Sequence, residues 1–254
     1  MALCFRETQT HKTGSNFLFA GGRHLTSYFC FIIILANVNI SCNYLSEINI
    51  TVKGKGRQQI LSDYFGFYKE EIGRFNSLPN ETLVNGVLQN TSGKYVDNLV
   101  NQTNIITMRW NYPVTNCLFM FYQLKNIIRI DLSKFDTSKV EIFECMLIRC
   151  TSLKSINLNN VNTSSAKNMA LMFRECSGLE TLNLSSFDTS KVTTMHSMFY
   201  GCTSLRSLDL SNFKTPALTD TVYMFYSCSS LVLLNIRNFN TLKVSSSSNM
   251  ENMF

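Results

Sequence analysis

The chain has 254 residues, 45% of them hydrophobic and 16% charged, with a formal net charge of +6. The apolar content excludes a disordered chain, so solubility must rest largely on Ser, Thr and Asn. The basic residues are scattered, with no Lys/Arg run interleaved with aromatics, which argues against a nucleic-acid groove.

Residues 1–27 carry Arg6, Lys12 and Arg23 without an apolar period, and Tyr28 to Ala36 is then an uninterrupted apolar run. It falls well short of the roughly 20 residues of a membrane span but suits the apolar core of a secretory signal. Asn37 and Asn39 end it. The long basic lead leaves open a start placed too far upstream, a signal anchor, or a buried strand that opens the fold. Cys42 is preceded by Asn39, Ile40 and Ser41, where a bacterial lipid-attachment site carries a Leu-like residue three before the Cys, so a lipid anchor is the lesser reading. Residues 1–45 are therefore read as a signal or targeting segment.

From Glu47 the pattern turns to strands. Ile48, Ile50 and Val52 alternate with polar residues, Gly54-Lys55-Gly56 supplies a turn, and Ile60-Leu61 begins a return strand, which predicts a hairpin. Asn85-Gly86 between Leu83-Val84 and Val87-Leu88 predicts a second. Tyr95 to Val100 and Ile105 to Trp110 are further strand candidates, and Tyr64 to Phe75 is a helix or a loop. Residues 46–104 are read as a small β-rich N-terminal cap, with Trp110, the only tryptophan, at its junction with the rest of the chain and closing the core there.

The remainder of the chain is a repeat. Units begin at Cys150, Cys176, Cys202 and Cys228, a 26-residue period, and an earlier unit begins at Leu124. Self-similarity at such a period predicts a solenoid, here over residues 105–254 in about five coils. Within a unit, Leu182 and Leu184 and their equivalents alternate with polar residues, predicting one short strand per coil with an apolar inner face. Val192, Met195, Met198 and Phe199 then recur at spacings of three and four residues, predicting short helical turns capped by Asp188 or Thr189. The expected fold is thus an α/β repeat, a right-handed solenoid of short parallel strands and helical turns behind the cap. The Cys column is most simply a ladder of free core thiols, since parallel Cβ vectors suit neither disulfides nor a tetrahedral metal. The Ser245 to Ser248 run lengthens the last unit, and the chain stops where the next Cys is due. Either the array continues in a longer protein or a partner covers its last coil.

The pattern Cys, Ser-Leu, Leu-x-Leu-Ser, Phe-Asp-Thr-Ser-x-Val, Met, Met-Phe resembles the 26-residue repeat of bacterial surface proteins. That group is related to the BspA-like leucine-rich repeats and to a domain of unknown function in mycoplasma lipoproteins. The resemblance covers about residues 105–254. It implies a secreted or cell-surface leucine-rich-repeat protein engaged in adhesion or protein binding, and it carries over no catalytic residue. Leu124 in place of Cys, Thr221 in place of Met and Pro216 depart from the pattern.

No Ser-His-Asp grouping, recurring carboxylate pair, phosphate-cradling Gly loop or metal-spaced Cys/His set occurs. The chain is therefore read as a non-enzyme without metal or cofactor. Seven Asn-x-Ser/Thr sites lie at Asn39, Asn49, Asn80, Asn90, Asn101, Asn162 and Asn183, near the number chance gives. The candidate binding surface is the outer face of the coil strands: Arg129, Asp131, Ser155, Asn157, Thr181, Asn183, Ser207, Asp209 and Asn235. A solvated strand face must be polar in any case, so the functional reading is collective: a wide, hydrogen-bonding contact with a protein or glycan surface ligand. No nucleic-acid partner is expected, and membrane contact is expected only through a signal or lipid anchor. The competing reading is an architectural surface module without a specific ligand.

Overall fold

A computed structural model describes residues 44–63, 75, 77–90, 93–244 and 253–254. The apolar run 28–36, Cys42, most of Tyr64 to Phe75 and the Ser245 to Ser248 run lie outside the described residues.

Ten strands occur in chain order: β1 Ser46–Lys53, β2 Gly56–Gln59, β3 Glu81–Val84, β4 Val87–Leu88, β5 Tyr95–Leu99, β6 Thr103–Trp110, β7 Ile127–Lys134, β8 Ser155–Asn157, β9 Ser207–Asp209 and β10 Leu233–Asn235. Six of them form one mixed sheet in the order β4-β3-β6-β1-β7-β8. Its centre is β1, whose Ile48, Ile50 and Val52 are fully buried while Glu47, Asn49 and Thr51 face outward. Antiparallel neighbours flank it on both edges, so that Ile50 lies opposite Ile106 of β6 and Ile130 of β7. On β6, Ile106, Met108 and Trp110 continue the buried layer. Trp110 donates its indole N–H to Ser77 O at 2.8 Å and meets the Phe135 ring edge-on at 5.6 Å, which closes the core under the first coil as expected.

The hairpin at Asn85-Gly86 forms as the dipeptide predicts. Both residues have positive φ, 49° and 83°, and Leu83 pairs with Leu88 and Val84 with Val87. The expected hairpin at Gly54-Lys55-Gly56 does not. Gly54 and Gly56 turn the chain, but they turn it out of the sheet, and β2 pairs with β5 in a separate two-stranded sheet. The reason is apolar complementarity. The sequence Gly-Arg-Gln-Gln of β2 offers no alternating apolar face, whereas β6 matches β1 residue for residue over eight positions. The expected division between cap and array at residues 104 and 105 falls inside β6.

The expected leucine-rich-repeat-like α/β solenoid, with a short parallel strand and helical turns in every coil, is overturned. No helix occurs among the described residues, the large sheet is mixed, and the coil strands do not join into one parallel sheet. The fold is β-rich. Each unit carries two left-handed residues four positions apart: Phe119, Cys145, Leu171, Ser197 and Tyr223 in one column, and Gln123, Arg149, Glu175, Gly201 and Ser227 in the other. A segment interrupted that often in φ cannot propagate an α-helix. Its amides alternate instead. Met195, Ser197, Phe199 and Gly201 donate to Asp220, Val222, Met224 and Tyr226 of the next unit, while Met198, Tyr200 and Cys202 donate three residues back in their own turn. The apolar spacing of three is therefore a turn spacing that sequence periodicity does not distinguish from a helical face.

Successive units lie over one another through three kinds of ladder. Parallel bridges run Asn116, Ile142, Asn168, Thr194, Asp220. Phe173, Phe199 and Phe225 stack at 5.8 and 5.6 Å with rings nearly parallel. The Cys150, Cys176, Cys202 and Cys228 thiols donate to backbone carbonyls of Phe121, Leu147, Phe173 and Phe199 at 3.0–3.2 Å. Burial pushes the Cys150 thiol up to about 12 and the Cys228 thiol to about 11. The Thr that recurs two residues after the Phe is not a helix cap. Buried Thr163 donates to Asp188 O and accepts from Asp188 N, both at 2.8 Å, clamping the next unit, and Thr137 and Thr215 repeat the pattern on Asn162 and Asn240.

Candidate functional site

The outer face of the six-stranded sheet gathers strands far apart in sequence. On β7 and β8, Arg129 pairs in register with Ser155 and Asp131 with Asn157. The parallel pair β9-β10 sets Ser207 beside Leu233 and Asp209 beside Asn235. Arg129, Thr181, Asn183, Ser207 and Asp209 are exposed, and Asp131, Ser155, Asn157 and Asn235 are half-buried. All nine expected residues therefore reach solvent.

They do not form one uniform surface. Thr181 to Leu184 belongs to neither sheet, so the face is broken between β8 and β9. Just before the break the chain passes close to the preceding unit: a Cβ on Gly178 would lie 2.6 Å from Thr151 O, which explains a glycine where the units beginning at Cys150, Cys202 and Cys228 carry serine. Over the break lies an open cleft of about 470 Å³, lined by Ser155, Thr181, Asn183, Ser207 and Asp209 of the expected set together with Asn212. Asn212 is not legible in the sequence as a surface residue; its Nδ2 donates to Leu184 O and Phe187 O at 3.0 Å and fixes the cleft's lower wall.

The Asx column has a structural role as well as an exposed position. Oδ1 of Asp131, Asn157, Asn183, Asp209 and Asn235 each accepts from the amide two residues on, at 2.8–3.4 Å. That turn supplies a reason for Asn or Asp at every one of these positions. Burial would raise the Asp131 carboxyl, but hydrogen bonds from Ser133 and from Asn157 Nδ2 outweigh it and hold it below the usual carboxylate range. Hydrogen bonds from Ser211 do the same for Asp209. By contrast, the column two residues earlier, Ser155, Thr181 and Ser207, has no such local turn to hold.

The cap adds charged residues to the same face that sequence reasoning does not assign. Asn49 lies opposite Asp131 and Thr51 opposite Arg129 across β1-β7. Glu47 Oε2 accepts from Arg109 Nε at 2.8 Å, Glu47 Oε1 lies 3.3 Å from Lys134 Nζ, and Asn49 Oδ1 accepts from Thr107 at 2.6 Å. Burial would raise the Glu47 carboxyl, yet its bonds to Arg109, Asn49 and Lys134 hold it below its ordinary value. The alternation of Glu47, Asn49 and Thr51 with apolar residues marks the polar side of a strand. Only the β1-β7 pairing, which spans some 80 residues of chain, sets that side beside the repeat. Among the described residues no group of His, Cys, Asp or Glu is placed to hold a metal ion. The groups on this face can offer hydrogen bonds over a broad area, with both signs of charge on the cap side.

The family described as Mycoplasma protein of unknown function, DUF285, matches the chain over residues 95–182 and 151–254, more than half of its length. No curated protein and no solved structure matches it.

Proposed function

We propose, from the premise that the chain belongs to the mycoplasma DUF285 family, that it is a secreted or cell-surface protein of the BspA-like group. On this reading it binds another macromolecule through its outer sheet face and catalyses no reaction. The cleft over the sheet break carries the proposal: it is open to solvent and lined by hydroxyl, amide and carboxylate groups from three successive units, together with Ile156, Leu182 and Leu184. Short polar side chains on a stiff backbone lose little entropy on binding, which suits a wide contact of many hydrogen bonds. The ligand is a protein or glycan displayed at a cell surface or in an extracellular matrix.

The Asx turns favour a second reading, an architectural module, because they account for the Asn and Asp residues without a ligand. The two readings separate at the column that has no turn to hold. Thr181→Arg with Ser207→Arg fills the cleft without touching an Asx turn. Binding to a panel of immobilised matrix proteins should be lost in the double variant while its melting curve matches the parent. No binding by either protein would leave the architectural reading standing, and equal binding by both would rule out the cleft as the site.

A further inference from the structure

The left-handed residues of each turn, and those three positions after them, form a second surface distinct from the outer sheet face. In the first units it is apolar and closed: Leu118, Phe119, Cys145 and Ile148 are buried against one another, with Tyr122, Ile142 and Leu171 packed beside them. In the last units the same columns turn aromatic. Tyr200 and Tyr226 stack at 5.3 Å, and Tyr223 meets Tyr226 at 5.5 Å and Tyr200 at 6.4 Å, nearly perpendicular to each. Tyr223 and Tyr226 stay 37% and 38% exposed despite these contacts. The Arg174 guanidinium lies over Tyr200 at 4.3 Å from its centroid, and the His196 ring meets Tyr223 at 6.3 Å.

Charged and polar side chains border these rings. Arg174 Nε lies 3.2 Å from Glu175 Oε1, and His196 Nδ1 lies 3.7 Å from Asp220 Oδ1. With Arg149 Nε also 2.7 Å from Glu175 Oε2, two guanidinium groups balance the Glu175 and Asp220 carboxylates, and the patch has little net charge to attract a polyanion or a polycation. Beside it, the Ser197 hydroxyl is buried and has no hydrogen-bond partner among the described residues, an unmet polar group of the kind that buried sites ordinarily satisfy.

We propose that Tyr223, Tyr226, Tyr200, His196 and Arg174 form a saccharide-binding site for a neutral hexopyranose. Its apolar C–H face would rest on the exposed tyrosines, and its hydroxyls would bond to the paired side chains at the rim. The chemistry matches on both counts. A pyranose presents one weakly polar face and a ring of hydroxyls, each of which both donates and accepts. The patch presents rings held rigid by mutual packing beside a guanidinium, an imidazole and two carboxylates. Rigid rings lose little entropy on binding, and paired charges can share a hydroxyl between donor and acceptor without leaving either group unpaired. The site is independent of the outer sheet face, so either can fail without the other.

The test uses the full chain and a printed array of neutral oligomers of glucose, galactose and N-acetylglucosamine alongside sialylated and sulfated oligosaccharides. Retention of neutral oligomers is expected. Tyr223→Ala and Tyr226→Ala should each weaken it at least about tenfold, since each removes an aromatic contact. Tyr223→Phe should keep stacking and stay within a few-fold of the parent. Thr181→Arg with Ser207→Arg should bind neutral oligomers as the parent does. His196→Ala, which leaves all three rings in place, should weaken binding with an unchanged melting curve, so the outcome does not hinge on whether a tyrosine variant folds. Retention of anionic oligosaccharides alone, no retention at all, or full retention by the alanine variants would overturn the assignment.

Discussion

Thr163 shows how much one hydroxyl can carry in a stacked fold. It is buried, and its Oγ1 engages both the N–H and the C=O of Asp188 in the next unit. Thr163→Val keeps the shape and leaves two backbone groups without a partner, a loss of about 1–3 kcal/mol by urea unfolding; parental stability would show that water replaces the clamp. Gly201 makes the opposite kind of demand. Its φ is +67°, and an added Cβ would lie 3.3 Å from the Glu175 side chain, so Gly201→Ala should lower stability by about 1 kcal/mol or more. The equivalent positions hold Gln123, Arg149, Glu175 and Ser227, also left-handed, so the backbone there is imposed by the stack rather than by residue preference. That is why no glycine pattern announces these turns. Glu47 titrates. Its carboxyl is held low in the folded state, so its contribution is complete above the unfolded-state value and is lost as pH falls through the folded one. The stability difference between the parent and Glu47→Gln should shrink on acidification through the carboxylate range; a gap independent of pH would rule out the charged network.

At the level of the element, periodicity separates inside from outside well and helix from turn badly. Alternation points Leu182 and Leu184 inward, and both are buried. Leu182→Asp should therefore cost several kcal/mol and visibly lower the melting temperature; an unchanged melting curve would refute the inward placement. The spacing of Met195, Met198 and Phe199 also points them inward, and all three are fully buried, but on turns whose alternate amides bond to the next unit. Helical and turn backbones can both bring residues three apart to one side, so side-chain pattern alone leaves them degenerate. The degeneracy is broken by hydrogen bonds between successive units of the 26-residue repeat. The Asn85-Gly86 hairpin is legible because its geometry is local. The β1-β2 hairpin is misread because a turn says where the chain bends and not which strand it joins.

Across the whole molecule, the mixed sheet fuses cap and repeat: β1 lies between β6 of the cap side and β7 of the first coil, and β8 continues the row. The thiol column runs through the same continuous core. Cys150 and Cys176 should then resist a thiol reagent at about pH 8 in the native protein and react together on unfolding, since burial raises the Cys150 thiol to about 12 and the Cys176 thiol well above its ordinary value, leaving almost no thiolate there. Rapid native labelling of either would mean that the stack opens locally. The amino-acid sequence by itself determined the 26-residue interval, the side chains that face inward, the polar strand face and the Asn-Gly turn, because each of these depends on identity and spacing along a short stretch. Only the tertiary structure decided that the turns are not helical, that the cap strands extend the repeat's outer face, that this face breaks at Thr181 to Leu184 and that three tyrosines and a histidine meet on the turns. Those features depend on which distant backbones pair, and pairing energy is shared between segments whose proximity no local pattern encodes.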